Sequence, residues 1–110
     1  MEKEHIGELE ELILLIILML KDDAYGLAVK HAIEEETDRK VTIGAIHGTV
    51  NRLETKGLLK SEMGEASEVR GGRRKRLFTL TSSGMNALQK SKDVKVSLWQ
   101  KIPELAIQKL

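Results

Sequence analysis

The chain has 110 residues, room for one domain around one core, and no cysteine, which excludes disulfides, thiolate metal sites and cysteine nucleophiles. Its formal net charge of +1 hides an asymmetry: up to Asp38 there are 3 basic residues against 11 acidic, and beyond it 15 against 6. That division predicts either a polyanion-binding face in the second half or two solvated faces of opposite sign.

Met1 to Gly7 is polar, and Glu8, Glu10 and Glu11 place acids where the positive end of a helix dipole favours them. The apolar run that follows, Leu12 to Leu20, spans nine residues. A membrane crossing takes about 20, and a signal peptide is preceded by basic residues, so the run is neither. No membrane partner is expected, and the absence of cysteine fits the cytoplasm. The run is apolar on all sides, so one stripe facing its own core leaves the rest exposed. A second copy of the chain is the simplest cover.

Asp22 and Asp23 offer an N-cap for a second helix over roughly 24–37, on which Tyr25, Ala28, Val29, Ala32 and Ile33 recur at helical spacing. The Glu34, Glu35, Glu36 run reads as a solvated face, and 37–41 as a turn. Thr42 can cap a third helix over roughly 43–56, with Ile43, Ile46, Val50 and Leu53 facing inward and Gly57 closing it. Two helices joined by a short turn form a helix-turn-helix. Next come two short antiparallel strands, 58–63 and 76–80, around a long polar loop, Gly64 to Lys75, which suits a protruding wing. Thr81 or Ser82 caps a last helix with the stripe Ala87, Ser91, Val94, Leu98 and Ile102, which Pro103 kinks or ends. Glu104 to Leu110 has room for one more turn. The expected fold is mainly α with a small two-stranded β-wing, a single domain over 1–110 with its winged-helix core at about 9–81 and a dimerisation helix over 82–110.

A helix that enters the major groove must bring side chains to base edges without holding its backbone away. The outward positions of the third helix are Gly44, Ala45, His47, Gly48, Asn51, Arg52 and Thr55. Two glycines there cost about 1 kcal/mol each in helix stability, which close packing of a phosphate backbone would explain. Arg70-Gly71-Gly72-Arg73-Arg74-Lys75-Arg76 carries five positive charges in seven residues. A pliable basic loop can follow a phosphate backbone with salt-dependent affinity. The partners expected are double-stranded DNA and a second copy of the chain, which meets it through Leu12, Leu15, Ile16 and Met19 of the first helix and Val94, Leu98, Trp99 and Ile102 of the last. Trp99 either anchors that interface or meets a small molecule.

An enzyme reading finds no reactive constellation. His5, His31 and His47 lie on different elements without ligand spacing, so neither metal nor cofactor is expected. His31 reads as a surface residue. The competing function from another class is a winged helix that binds a protein through its exposed third helix and does not bind DNA.

The motifs Asp23-Ala24-Tyr25-Gly26, then Gly44-Ala45-Ile46-His47 through Arg52-Leu53-Glu54-Thr55-Lys56-Gly57-Leu58, then Gly71-Gly72-Arg73-Arg74-Lys75-Arg76 leading to Leu80-Thr81 resemble the PadR-like transcriptional regulators over about Leu9 to Leu88. The resemblance implies a winged helix-turn-helix dimer held by its first and last helices, binding a palindromic operator and usually repressing. It implies that Thr42, Ala45, His47, Asn51 and Arg52 face the major groove, and that Arg70, Arg73, Arg74 and Lys75 lie on the backbone or minor groove. The family pattern usually has tyrosine where this chain has His47, and often proline where it has Gly48. The short C-terminal segment resembles compact members without a large effector domain. Some relatives respond to phenolic or other aromatic compounds, but no motif here encodes a small aromatic effector.

Overall fold

The computed structural model describes residues 5–66 and 74–104. Its elements run α1 (Glu8–Leu20), a single 3-10 turn (Lys21–Asp23), α2 (Gly26–Glu36), α3 (Ile43–Thr55), β1 (Leu59–Ala66), β2 (Arg74–Leu80) and α4 (Ser82–Gln100). This is the winged helix-turn-helix order anticipated from the sequence: three helices, a two-stranded antiparallel wing and a final helix.

The core forms where α1, α2, α3 and the wing base converge. Ile13, Leu14, Ile17, Val29, Ile33, Ile46, Val50, Leu53 and Phe78 are all buried there, so each helix contributes one stripe. The inward stripe of α3 is Ile46, Thr49, Val50 and Leu53. Ile43, expected to join it, is exposed, because the first helical residue lies at the open end of the bundle and its Cδ1 leans toward Gly26.

The start of α2 also differs from expectation. Asp22 and Asp23 form the 3-10 turn rather than an N-cap, and Tyr25 occupies the cap position. Backbone pairing explains the delay: Phe78 donates its N–H to the Ala24 carbonyl at 2.8 Å, and Tyr25 bridges Leu77, which keeps 24–25 extended until Gly26. Glu34 is more than a solvated acid. Its carboxylate accepts the Val41 N–H at 3.1 Å and so stabilises the turn of the helix-turn-helix.

A Schellman motif ends α3. The N–H of Leu58 bonds the carbonyl of Leu53, that of Gly57 bonds Glu54, and Gly57 supplies the left-handed residue with φ 78°. Thr81 ties this end to the last helix: its hydroxyl donates to the Gly57 carbonyl at 2.7 Å and accepts the Gly84 N–H, capping α4. Gly84 packs so tightly that an added Cβ would lie 2.1 Å from the Leu58 carbonyl oxygen.

The strands pair Leu59 with Leu80, Ser61 with Phe78 and Met63 with Arg76, then continue past a bulge to pair Ala66 with Arg74. They are longer than the sequence suggested, because backbone pairing persists beyond the point where apolar alternation fades. The seven residues 67–73 of the expected loop lie outside the described residues.

Only the first two turns of α4 are buried, through Gly84, Ala87 and Leu88. Beyond them Val94, Leu98 and Trp99 project from the protomer, Trp99 at 61% exposure. The helix ends at Gln100, short of Pro103, as the restriction on residues preceding a proline requires. The turn expected over 104–110 lies, beyond Glu104, outside the described residues. The outer face of α1 and α4 forms an open groove of about 720 Å³ lined by Leu12, Leu15, Leu18, Met85, Val96 and Trp99. Ile16 does not belong to it. That side chain is 4% exposed and packs into the protomer's own core, whereas its neighbour Leu15 is 49% exposed. Leu18, Met85 and Val96, outside the expected interface set, line it as well, whereas Met19, Val94, Leu98 and Ile102 are exposed but lie outside it.

Candidate nucleic-acid interface

Thr42 opens α3 by accepting the Ala45 N–H on Oγ1 at 3.0 Å. Capping consumes one hydroxyl lone pair and leaves the O–H free to donate outward. Gly44, Ala45, Asn51, Arg52 and Thr55 are exposed, while His47 and Gly48 are half-buried. A Cβ added at Gly44 or Gly48 would meet nothing closer than 3.9 Å, so packing inside the protomer does not demand glycine at either position. His47 lies at the seam with α2: a Cβ on Gly26 would approach its ring to 3.4 Å.

Arg52 leans back along its own helix, donating to Thr49 Oγ1 at 3.0 Å with its Nε 3.9 Å from Glu10. Its side chain remains 61% exposed. Glu10 is the electrostatic centre behind this face. Its carboxylate is buried near the start of α1 and accepts from Lys56 Nζ at 2.8 and 3.0 Å and from the Gly7 N–H at 2.8 Å. Burial pushes the Glu10 carboxyl up, but the bonds from Lys56 and Gly7 and the nearby Arg52 charge outweigh it and hold the group below the usual carboxylate range. Glu10 thereby fastens the C-terminal turn of α3 to α1. Glu11 does the same for α4. Burial again raises its pKa, while Lys95 and Ser91, both bonded to it, bring it below the ordinary value.

On the wing, Arg76 is bound to α3. It donates to Glu54, to Ser61 Oγ at 3.0 Å and to Asn51 Oδ1 at 3.3 Å, and its guanidinium lies 5.4 Å from the Phe78 ring centroid. Ser61 in turn donates to Glu54 at 2.6 Å. Lys75 points the other way, its ammonium 4.1 Å above the Tyr25 ring at the start of α2. Through Arg76 and Lys75 the outer half of β2 therefore touches both the exposed side of α3 and the start of α2. Arg70 and Arg73 lie outside the described residues, and Arg74 is placed by its backbone as the first residue of β2. Sequence reasoning counted Arg76 with the basic run and missed its partners Glu54 and Ser61, which only the antiparallel pairing of β2 with β1 brings beside it.

Among the described residues, no group of three His, Asp or Glu side chains could hold a metal ion, and no helix is long and apolar enough to cross a membrane.

The model of the transcriptional regulator PadR-like family matches residues 14–90. The chain belongs to that family. Among solved structures, a PadR family transcription regulator from Clostridium difficile R20291 superposes with TM-score 0.71 at 28% identity, covering 86% of this chain and 93% of that one. A PadR-like transcription factor from Bacteroides fragilis gives TM-score 0.66 at 23% identity, covering 84% of each chain. The Orc1 protein of Aeropyrum pernix, solved in complex with DNA, gives TM-score 0.62 at 25% identity, with 84% of this chain matched to 26% of that one. A search of curated proteins by sequence finds no match. This PadR-like protein is thus a transcriptional regulator with a winged-helix fold.

Proposed function

We propose that this PadR-like protein is a cytoplasmic repressor, without enzymatic activity, that binds a palindromic operator as a homodimer. α3 enters the major groove, where Thr42, Ala45, His47, Asn51 and Arg52 meet phosphates and base edges, and Arg70, Arg73, Arg74 and Lys75 follow the backbone or minor groove. The observation that carries this reading is the exposed face of α3. Its N-terminal half is kept small by Gly44, Ala45 and Gly48 although the protomer leaves room for larger side chains, and it adjoins the basic wing. The Aeropyrum pernix Orc1 complex supports it, since a similar fold there occurs with DNA.

The dimer rests on the outward apolar residues of α1 and α4. Leu12, Leu15 and Trp99 line the groove, the exposed Met19, Val94, Leu98 and Ile102 flank the same contact outside it, and Ile16 is withdrawn from the set as a core residue. A second copy covering this groove would present two α3 helices on one side, with half-sites about 10 base pairs apart.

Incubating the purified protein with fragmented genomic DNA of its source and sequencing the bound fraction tests the proposal. The expected result is enrichment of an inverted repeat near a promoter, with lower transcription from it when the protein is present. Recovery of random fragments, or of none, would reject it.

A further inference from the structure

Arg76 is part of the basic run, yet its surroundings differ from those of a phosphate contact. One acidic carboxylate, Glu54, already neutralises it, Ser61 accepts from its Nε, and Phe78 lies beneath it. Its remaining partner among the described residues is Asn51, an exposed residue on the α3 face. A guanidinium has five N–H donors and no acceptor, so the atom that Asn51 turns toward the wing must be Oδ1. Its two N–H donors sit on the other branch of the amide, turned from the wing.

We propose that Arg76 is a positioning residue: it makes no phosphate contact of its own but fixes the Asn51 amide in one orientation, and through Asn51 determines which base is accepted at one position of each half-site. The inference rests on the DNA-binding reading above and deepens it. An unrestrained Asn can flip its amide and satisfy either order of donor and acceptor on a base edge. An amide fixed before binding discriminates between them, because the wrong base leaves a buried polar group without a partner. Glu54 and Ser61 matter as the anchor that keeps Arg76 from following Asn51. A lysine in place of Arg76 retains the charge and can pair with Glu54, but a single ammonium on a flexible stem lacks the planar fork that spans the other acceptors.

The experiment is selection from a randomised operator library with the full-length protein, beside Asn51→Ala, Arg76→Lys and the charge-neutral pair Arg76→Gln with Glu54→Gln. The base position at which Asn51→Ala loses selection identifies the contact of Asn51. At that position Arg76→Lys should lose roughly tenfold in discrimination, with every other position unchanged. The Gln pair should lose the same discrimination while keeping the salt dependence of the wild type. Retention of the wild-type preference by Arg76→Lys would show that charge alone suffices, and a salt slope lower by about 0.9 per half-site in the Gln pair would reveal a phosphate contact; either overturns the assignment. A wild-type protein that selects no sequence would overturn the DNA reading and this inference together.

Discussion

Replacing Glu10 by glutamine should destabilise the protein by about 2 kcal/mol, and the size follows from its surroundings. The Glu10 side chain is 8% exposed and Lys56, its main partner, 30%. Removing one member of a hydrogen bond to a charged group costs roughly 1.5–3 kcal/mol where the partner stays buried. Lys56 regains some water, which lowers the figure, but the glutamine NH2 turns a donor toward an ammonium that only donates, which raises it. For a domain of this size about 2 kcal/mol lowers Tm by roughly 8 °C. The assay is thermal unfolding at fixed protein concentration, since the apparent stability of a dimer depends on it. Glu10→Gln, Lys56→Met and the double variant form a cycle whose coupling should exceed about 1 kcal/mol. A Tm within roughly 1 °C of the wild type for Glu10→Gln, or single effects that simply add, would refute Glu10 as the fastening between α1 and α3.

The lowered pKa values of Glu10 and Glu11 set a pH dependence. Their stabilisation is complete above the unfolded carboxylate value, about 4.3, and is lost as pH falls through the lower folded values. Urea midpoints should therefore drop more steeply below pH 5 in the wild type than in Glu10→Gln. Gly84→Ala forces a methyl group against the Leu58 carbonyl and should cost more than about 2 kcal/mol or prevent folding, read by circular dichroism. Leu15→Glu with Trp99→Glu places charges on the exposed α1 and α4 faces, and light scattering should then report a monomeric mass while the helical spectrum is kept. Alanine at Arg73, Arg74 and Lys75 should flatten the salt dependence of DNA binding by roughly 0.9 per lost phosphate contact without changing which operator is chosen.

Helical periodicity made α2 and α3 legible, since Val29, Ala32 and Ile33, or Ile46, Val50 and Leu53, share a face on a helix but would be split between the two faces of a strand. Thr42 and Gly57 marked the ends of α3 because capping is local chemistry. What stayed hidden depends on partners distant in sequence. An apolar run such as Leu12 to Leu20 carries no label saying that Ile16 faces the protomer's own core and Leu15 faces out. Nor could the sequence show that β2 reaches back to Ala24 and Tyr25 and delays the start of α2. The charge run around Arg76 was visible, but its neutralisation by Glu54, 22 residues earlier, was not. Likewise, Glu34 looked like one of three solvated acids until its bond to Val41 placed it inside the turn.

The central claim, that α3 and the wing together bind duplex DNA by sequence, is tested most directly by fluorescence anisotropy with a labelled selected operator and a scrambled duplex over a range of salt. The preference for the operator should be at least about a thousandfold, with log affinity falling linearly in log salt on both duplexes. Equal affinity for the two duplexes, or binding indifferent to salt, would contradict it.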